Sequence, residues 1–497
     1  MKKFARLLLL SCLLCGAGCG KTQEPSVNLF FTSDIEGVFW PRPEPRYGNE
    51  VTGGLSVLKS FLDKQTLPFV LLEGGNWFAQ TPEGTLTKGD YFNSAAASIP
   101  YAGRLFTGKD LTYGWNALSQ MIKDSPAPFV LSNVRLPGDK LPAGARAYLL
   151  ENAGGYKIGV FGLVGQEATK GLRRLGGLKI LPEIPVARET VQLLREKGAQ
   201  AVVLISALGA PDDKTAVTDA VLAEEVSGID VILSSNLGRD AAETSRVGKT
   251  LIVYPGSKLD GVGRVSLFFD KDGVLSDARF EDVILYRRDF GEDEAVAEQI
   301  ADIRRTARSQ MNRPVGKLAE PLRGSLSGES SLGDWAADCL RKWAKVDAAV
   351  LNADSLRSDL PAGPITQYDL YTLYPYADNV TYLTIKGAAL LAALEAGLSV
   401  PDNFAQISGL RVRYNPKAPA DKRILSASIG GTPVSADTSY RVAVTDHMLA
   451  GGAGHDAFID SLEFKNTQVE MRTVLRLCLA GNKAASAPEG GRWRTQP

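Results

Sequence analysis

From Val27 to about Phe290 the chain alternates short apolar runs with amphipathic stretches, and this alternation limits the fold more than any other feature. Runs such as Val27 to Phe31, Phe69 to Leu72, Ile158 to Phe161, Ala201 to Ile205 and Val231 to Leu233 have the length and composition of buried strands. The segments Leu55 to Lys64, Trp115 to Lys123 and Val186 to Lys197 carry helical periodicity between them. Strands and helices in turn imply an α/β layer architecture. Most of the strand candidates end in Gly, Ser, Asn or Asp, at the sheet edge where such folds place their chemistry.

A charged amphipathic stretch from Asp293 to Asn312 stops before Pro314, and its sparse apolar positions read as a linker helix over 291–313. Beyond it, Ala348 to Leu351 is a short buried-strand candidate ending at Asn352 in a polar loop that carries Arg357. Pro361, Gly363 and Pro364 force a turn, and Thr366 is placed to cap a short helix from Tyr368 to Leu373. The spacing divides the chain into domains over 26–290 and 314–482. A tail over 483–497, rich in Ala, Gly and Pro, is expected to be disordered.

Lys2, Lys3 and Arg6 precede an apolar run from Leu7 to Leu14 that is too short to span a bilayer, and small residues lead to Cys19. This resembles a bacterial lipoprotein signal over 1–19. The resemblance implies lipidation of Cys19 and a periplasm-facing membrane anchor, with Gly20 pointing to the outer membrane; an ordinary cleaved secretory signal is the alternative. Of the five cysteines, only Cys339 and Cys478 lie outside this segment. Their apolar, helix-like surroundings read as two buried thiols rather than a bridge, although an exported location permits a disulfide. Lys plus Arg equals Asp plus Glu at 56 each, so no basic field argues for a nucleic-acid polymer as partner.

The stretch NADSLRSDLPAGPIT…DLY…PY from Asn352 to Tyr376 resembles the NGGGIRADLPAGPIT…DLY…PF segment of the 5′-nucleotidase C-terminal domain. GESSLGDWAADCLRKW (Gly328 to Trp343) resembles that family's RESNLGNLVADAMR helix, without its leading arginine. TDHMLAGGAGHDAF (Thr445 to Phe458) resembles NDFLASGGDGY. The resemblance implies a four-layer metallophosphoesterase-like α/β sandwich followed by a 5′-nucleotidase C-terminal α/β domain. It also implies a nucleotide site in which Asn352 and Arg357 hold polar groups and Phe404 stacks on the base. His455 stands where a second stacking aromatic belongs. In the bland reading Phe404 is a core residue and His455 a half-buried loop histidine.

The first domain aligns with the calcineurin-like metallophosphoesterase domain at TSDIEG, LLEGGN, TGKDLTYG, ISALG and ILSSNLG, but its metal ligands do not. Asp34 is kept. The motif histidine is Glu36, the bridging aspartate is Asn76, and Lys109 and Asp110 replace an asparagine and a histidine. Ala207 replaces a lone histidine, and the last histidine pair has become Ser235-Asn236-Leu237-Gly238. The chain holds two histidines, His447 and His455, both beyond this domain. A two-metal phosphatase needs several imidazoles and a bridging carboxylate to generate hydroxide. The degenerate set Asp34, Glu36, Asn76 and Asp110 could hold at most one hard cation, Mg²⁺ or Ca²⁺, and otherwise no cofactor is expected. The preferred reading is therefore an exported, catalytically impaired family member that binds a nucleotide or related phosphorylated ligand. The alternatives are a hydrolase of nucleotides or nucleotide sugars with a rebuilt metal site, and an envelope interaction protein.

Overall fold

The computed structural model describes residues 26–78, 81–166, 177–209, 216–235, 239–400, 403–480 and 484–496. The Cys19 segment lies outside the described residues, as do Asn236, Leu237 and Gly238. Among the described residues no helix is long and apolar enough to cross a membrane.

The alternation from Val27 onward builds two sheets. The first has seven strands, with Phe69–Glu73 at its centre and Val27–Thr32 next to it, between Gly261–Phe269 and Phe69–Glu73. The Val27–Thr32 strand runs parallel to Phe69–Glu73 and antiparallel to Gly261–Phe269. The second sheet has six strands, in the order Glu243–Val247, Thr250–Tyr254, Val231–Ser234, Ala201–Ala207, Tyr156–Val164, Tyr148–Ala153. Side chains alternate across each sheet. Val203 and Ile205 join the large core shared by both sheets, whereas Val202 and Leu204 pack with Val191 and Leu194 of the outer Glu183–Glu196 helix. On the far side, Phe30 meets Phe61 of the Leu55–Asp63 helix edge to face at 5.2 Å. The result is helix, sheet, sheet, helix: the four expected layers. Gly162 makes the close approach of the sheets possible, since a Cβ there would lie 2.1 Å from the Val130 carbonyl.

Tyr101–Arg104 and Leu275–Ile284 are strands that the apolar runs do not reveal. The first contains Gly103 and ends in a buried arginine; the second alternates charged residues along one exposed face. The Glu294–Met311 helix, capped by Asp293, is more than a linker. It buries Val296, Ile300, Ile303, Ala307 and Met311 and touches helices of both domains.

The second domain centres on a five-stranded sheet in the order Ala405–Ser408, Ala348–Asn352, Ser439–Thr445, Asn379–Lys386, Glu463–Glu470. Ser331–Ala344 and Met471–Leu479 cover one face and Gly387–Gly397 the other. Thr366 caps Gln367–Leu373, as the sequence suggests, accepting from the Asp369 N–H. Two expectations are corrected here. Cys339 and Cys478 form a disulfide, because the two helices on one face bring their Cα atoms to 5.6 Å. The tail is not disordered over 484–496. Trp493–Thr495 adds a parallel strand to Leu410–Tyr414, and Arg492 and Trp493 are buried. Its flanking Gly and Pro residues masked a tryptophan and an arginine that each find a built partner.

Candidate functional site

The central strands of the first domain end in turns that lie side by side. After Val27–Thr32, the chain turns through Asp34 and Glu36; after Phe69–Glu73, it turns through Asn76. All three adopt left-handed backbone conformations, with φ of 47°, 55° and 56°. Such residues cost energy unless their surroundings hold them. Here the turns brace one another: the Asp34 N–H donates to the Gly75 carbonyl, Glu36 N–H to Asn76, and Lys258 N–H to Asp34, at 2.8–3.0 Å. Ser235, at the end of a second-sheet strand, closes the junction by donating to the Gly74 carbonyl at 2.8 Å.

The side chains on this frame are mostly committed to each other. Asp34 is fully buried and accepts from Asn76 Nδ2 at 2.6 Å. Tyr254 stands close by and donates to the Arg239 carbonyl at 2.8 Å; burial and then the Asp34 carboxylate push its hydroxyl far up. Asp110 accepts from the backbone N–H groups of Asn76, Trp77 and Thr107 at 2.7, 3.2 and 2.8 Å, and from the Thr107 hydroxyl. Burial nonetheless pushes its carboxyl up to about 6. It is the brace of the Thr107 and Asn76 loops. The Lys109 ammonium lies 4.0 Å from Glu36 Oε1. Ser33 Oγ and Asn76 Oδ1 are buried without a hydrogen-bond partner.

This donor set does not fit a dinuclear metal centre. Asn76 directs an N–H, not a lone pair, at Asp34, and the Asp110 oxygens are occupied by backbone donors. A lysine ammonium neighbours Glu36. Ala207 offers no donor atom. Among the described residues no group of three or more His, Cys, Asp or Glu side chains is arranged to hold a metal ion.

The second domain brings Arg357 to the same cleft. Its Nε donates to Tyr376 Oη at 2.8 Å and its Nη1 pairs with Asp354 at 2.8 Å. Burial opposes the charge of Arg357, but Tyr376, Asp354 and, across the domain boundary, Glu36 hold its pKa up. Glu36 thus has a cation of each domain within its field. The remaining residues expected at a nucleotide site are elsewhere or enclosed. Asn352 is 4% exposed at its strand end, with Oδ1 unpartnered. Phe404 is 8% exposed and packs against Trp493 and Tyr414. His455 is corrected: it is fully buried, not a half-buried loop residue or a ring offered to a base. Its Nδ1 lies 2.8 Å from the Ala393 carbonyl, its ring tilts against Phe458, and burial lowers its pKa. The Gly387–Gly397 helix closes over it, since a Cβ at Gly397 would lie 2.5 Å from the imidazole.

The domain contact beside the cleft was not legible in the sequence. Glu83, fully buried at the first turn of Pro82–Thr87, accepts from the Tyr368 hydroxyl at 3.0 Å and pairs with Arg304 at 3.6 Å. Nothing in the local pattern marks a buried glutamate, because its partners come from the linker helix and the other domain.

The architecture defines a two-domain protein with a metallophosphoesterase-like fold. Residues 314–460 match the 5′-nucleotidase C-terminal domain. A 5′-nucleotidase of Vibrio vulnificus is 21% identical over 94% of this chain and 94% of its own. The trifunctional nucleotide phosphoesterase protein YfkN of Bacillus subtilis is 24% identical over 82% of this chain, which spans only 29% of that protein's length. The chain likewise spans 27% of the endonuclease YhcR of the same organism. Among solved structures, a 5′-nucleotidase precursor from Thermus thermophilus superposes with a TM-score of 0.76 at 21% identity, covering 95% of this chain and all of that one. Residues 314–460 thus carry the 5′-nucleotidase C-terminal domain, and the chain as a whole has the two-domain fold of 5′-nucleotidases.

Proposed function

We propose that this protein is a non-catalytic or catalytically impaired member of its family that binds a phosphorylated, nucleotide-like ligand in the cleft between its domains. The observation that carries this reading is the environment of Glu36. Two side-chain cations, Lys109 from one domain and Arg357 from the other, act on this carboxylate. An ammonium and a guanidinium can bind phosphate oxygens by charge-assisted hydrogen bonds. Neither can supply the bound hydroxide that attacks phosphorus. The turns at Asp34, Glu36 and Asn76, with left-handed backbone, shape this wall of the cleft.

A second reading is a hydrolase with a rebuilt single-cation site. The unpartnered oxygens of Ser33 and Asn76 beside Asp34 favour it, since hard cations take oxygen donors. The protein is further proposed to be exported and anchored through Cys19, and a disulfide between Cys339 and Cys478 suits an oxidising compartment.

The test is metal analysis together with calorimetry of AMP binding on the chain from Cys19 onward. The proposal expects AMP to bind in the presence of a chelator, with affinity lowered tenfold or more by Lys109→Ala or Arg357→Ala. Stoichiometric metal, or AMP turnover that Asp34→Ala abolishes, establishes the hydrolase reading instead.

A further inference from the structure

We propose that the edge of the first domain at which its central strands begin, marked by Leu67 and Val274, rests on the phospholipid headgroups of the membrane, so that the cleft opens away from the lipid. This inference rests on the anchoring through Cys19 proposed above, and it assigns the surface that the anchor brings to the membrane. Ser26 enters the fold at this edge, its N–H donating to the Leu267 carbonyl at 2.9 Å. Seven peptide units separate Ser26 from Cys19, a span of at most about 25 Å when fully extended. A lipidated Cys19 therefore keeps this edge within about that distance of the headgroups.

The edge gathers apolar side chains and lysines from segments far apart in the chain. Leu67 is 37% exposed just before Phe69–Glu73, and Val274 is 60% exposed in the turn between Gly261–Phe269 and Leu275–Ile284. The Asn28 N–H donates to the Pro68 carbonyl at 3.0 Å, which sets the Leu67 loop beside the entry of the chain. A Cβ at Gly154 would lie 3.2 Å from both Ser26 and Pro68, so the turn before Tyr156–Val164 belongs to the same edge. Gln200 ties in the second sheet, donating to the Gly273 carbonyl at 2.7 Å and accepting from the Lys157 N–H at 3.1 Å. Lys157, Lys197 and Lys271 are exposed on this rim. Asp272 and Glu196 share it, whereas Asp270 is committed to the backbone N–H groups of Asp272 and Val274, at 2.9 Å each. Lysine stems carry their charge farther out than the shorter carboxylates, so headgroup phosphates meet the ammonium groups first.

Two apolar side chains and a few lysines do not hold a free domain on a membrane. A short tether makes the contact intramolecular, at an effective concentration in the millimolar range, and weak contacts then fix the orientation. The position of the cleft follows from the strands. Val27–Thr32 and Phe69–Glu73 run parallel from this edge and, at about 3.3 Å per residue, end about 15–20 Å farther out. There they enter the turns of Asp34, Glu36 and Asn76. The cleft thus faces the aqueous compartment and takes its ligand from solution rather than from the lipid surface.

Fluorescence quenching on vesicles tests the docked face. Cys339 and Cys478 are joined to each other, so an introduced cysteine can carry a dye. One sample is labelled at Lys157→Cys on the rim, another at Thr112→Cys, whose hydroxyl bonds the Lys109 carbonyl beside the cleft. The lipidated protein is reconstituted in vesicles of phosphatidylethanolamine and phosphatidylglycerol that carry a nitroxide quencher on the headgroup. The dye at Lys157→Cys should be quenched strongly and the dye at Thr112→Cys hardly at all. Adding Leu67→Asp and Val274→Asp should cut the quenching at Lys157→Cys to about half or less, since the tether remains and the contact is lost. Equal quenching at the two positions overturns the proposal, as does quenching at Lys157→Cys that the two aspartates leave unchanged. Fractionation of wild type and Cys19→Ala judges the anchor separately. A wild type found in the soluble fraction, or a Cys19→Ala protein that stays with the membrane, removes the anchor and this inference with it. Release of Cys19→Ala together with equal quenching at both positions leaves the anchor and removes the docked face.

Discussion

The Asn76 side-chain amide donates to the Asp34 carboxylate at 2.6 Å inside a fully buried turn, so a neutral donor meets the negative charge of that carboxylate. Asn76→Asp replaces that donor with a second buried carboxylate. An uncompensated buried charge costs about 3–5 kcal/mol. The variant should therefore melt well below the wild type in chelator, and millimolar Mn²⁺ or Ca²⁺ should restore part of the loss. Thermal shift with and without metal measures this. A variant as stable as the wild type in chelator would show that the hydrogen bond carries no such charge balance.

Glu44 sits between two arginines at the hairpin beside the cleft, with Arg46 Nε at 2.8 Å and Arg42 on its other oxygen. Burial raises its pKa, but the hydrogen bonds from Arg46 and Arg42 outweigh this and bring it down to about 2 from 4.5. A carboxylate with a depressed folded-state pKa stabilises the fold above its unfolded pKa and loses that contribution as pH falls through the folded value. The Tm difference between wild type and Glu44→Gln should be full above pH 4.5 and shrink as pH falls toward 2. A difference that stays constant across that range would mean the arginines do not hold the glutamate ionised.

The disulfide between Cys339 and Cys478 closes a loop of 139 residues. In the chain-entropy account, a loop of this length contributes about 5 kcal/mol by restricting the unfolded chain. Reduction, or Cys339→Ala with Cys478→Ala, should lower the denaturant midpoint of the second domain. Unchanged unfolding in dithiothreitol would show that the bridge contributes nothing.

Tyr368→Phe removes the one hydroxyl that the second domain offers to the buried Glu83 carboxylate. Leaving a buried acceptor short of a donor costs about 1–3 kcal/mol. The domains should then unfold in more separated steps, seen as a broadened or split transition in urea. A single unchanged transition would show that this contact does not couple the domains.

The layered fold was legible because it rests on local pattern. Apolar runs near Val27, Phe69, Ala201 and Val231 bury both faces, and the strands they predict are present. Thr366 announced a helix start that a capping box indeed makes. That the first domain contains no histidine was also legible, since it is a matter of composition. Other features were not. Arg104 is fully buried, with its guanidinium 3.9 Å from the Trp77 ring, and no neighbour in sequence signals this. The tail looked disordered because its Gly and Pro residues dominate its composition, while the partners of Arg492 lie more than a hundred residues earlier.

By itself the sequence determined most of the central strands and helices, and that the first domain lacks the imidazoles of a two-metal enzyme. These follow from periodicity and residue type, which act over a few neighbours. Only the tertiary structure decided what each polar side chain faces. It turned Asp110 into a loop brace, buried His455 under a helix, joined Cys339 to Cys478, and laid Trp493 against Phe404. Each of those outcomes depends on contacts between residues distant in the chain, where desolvation and partner geometry outweigh local preference.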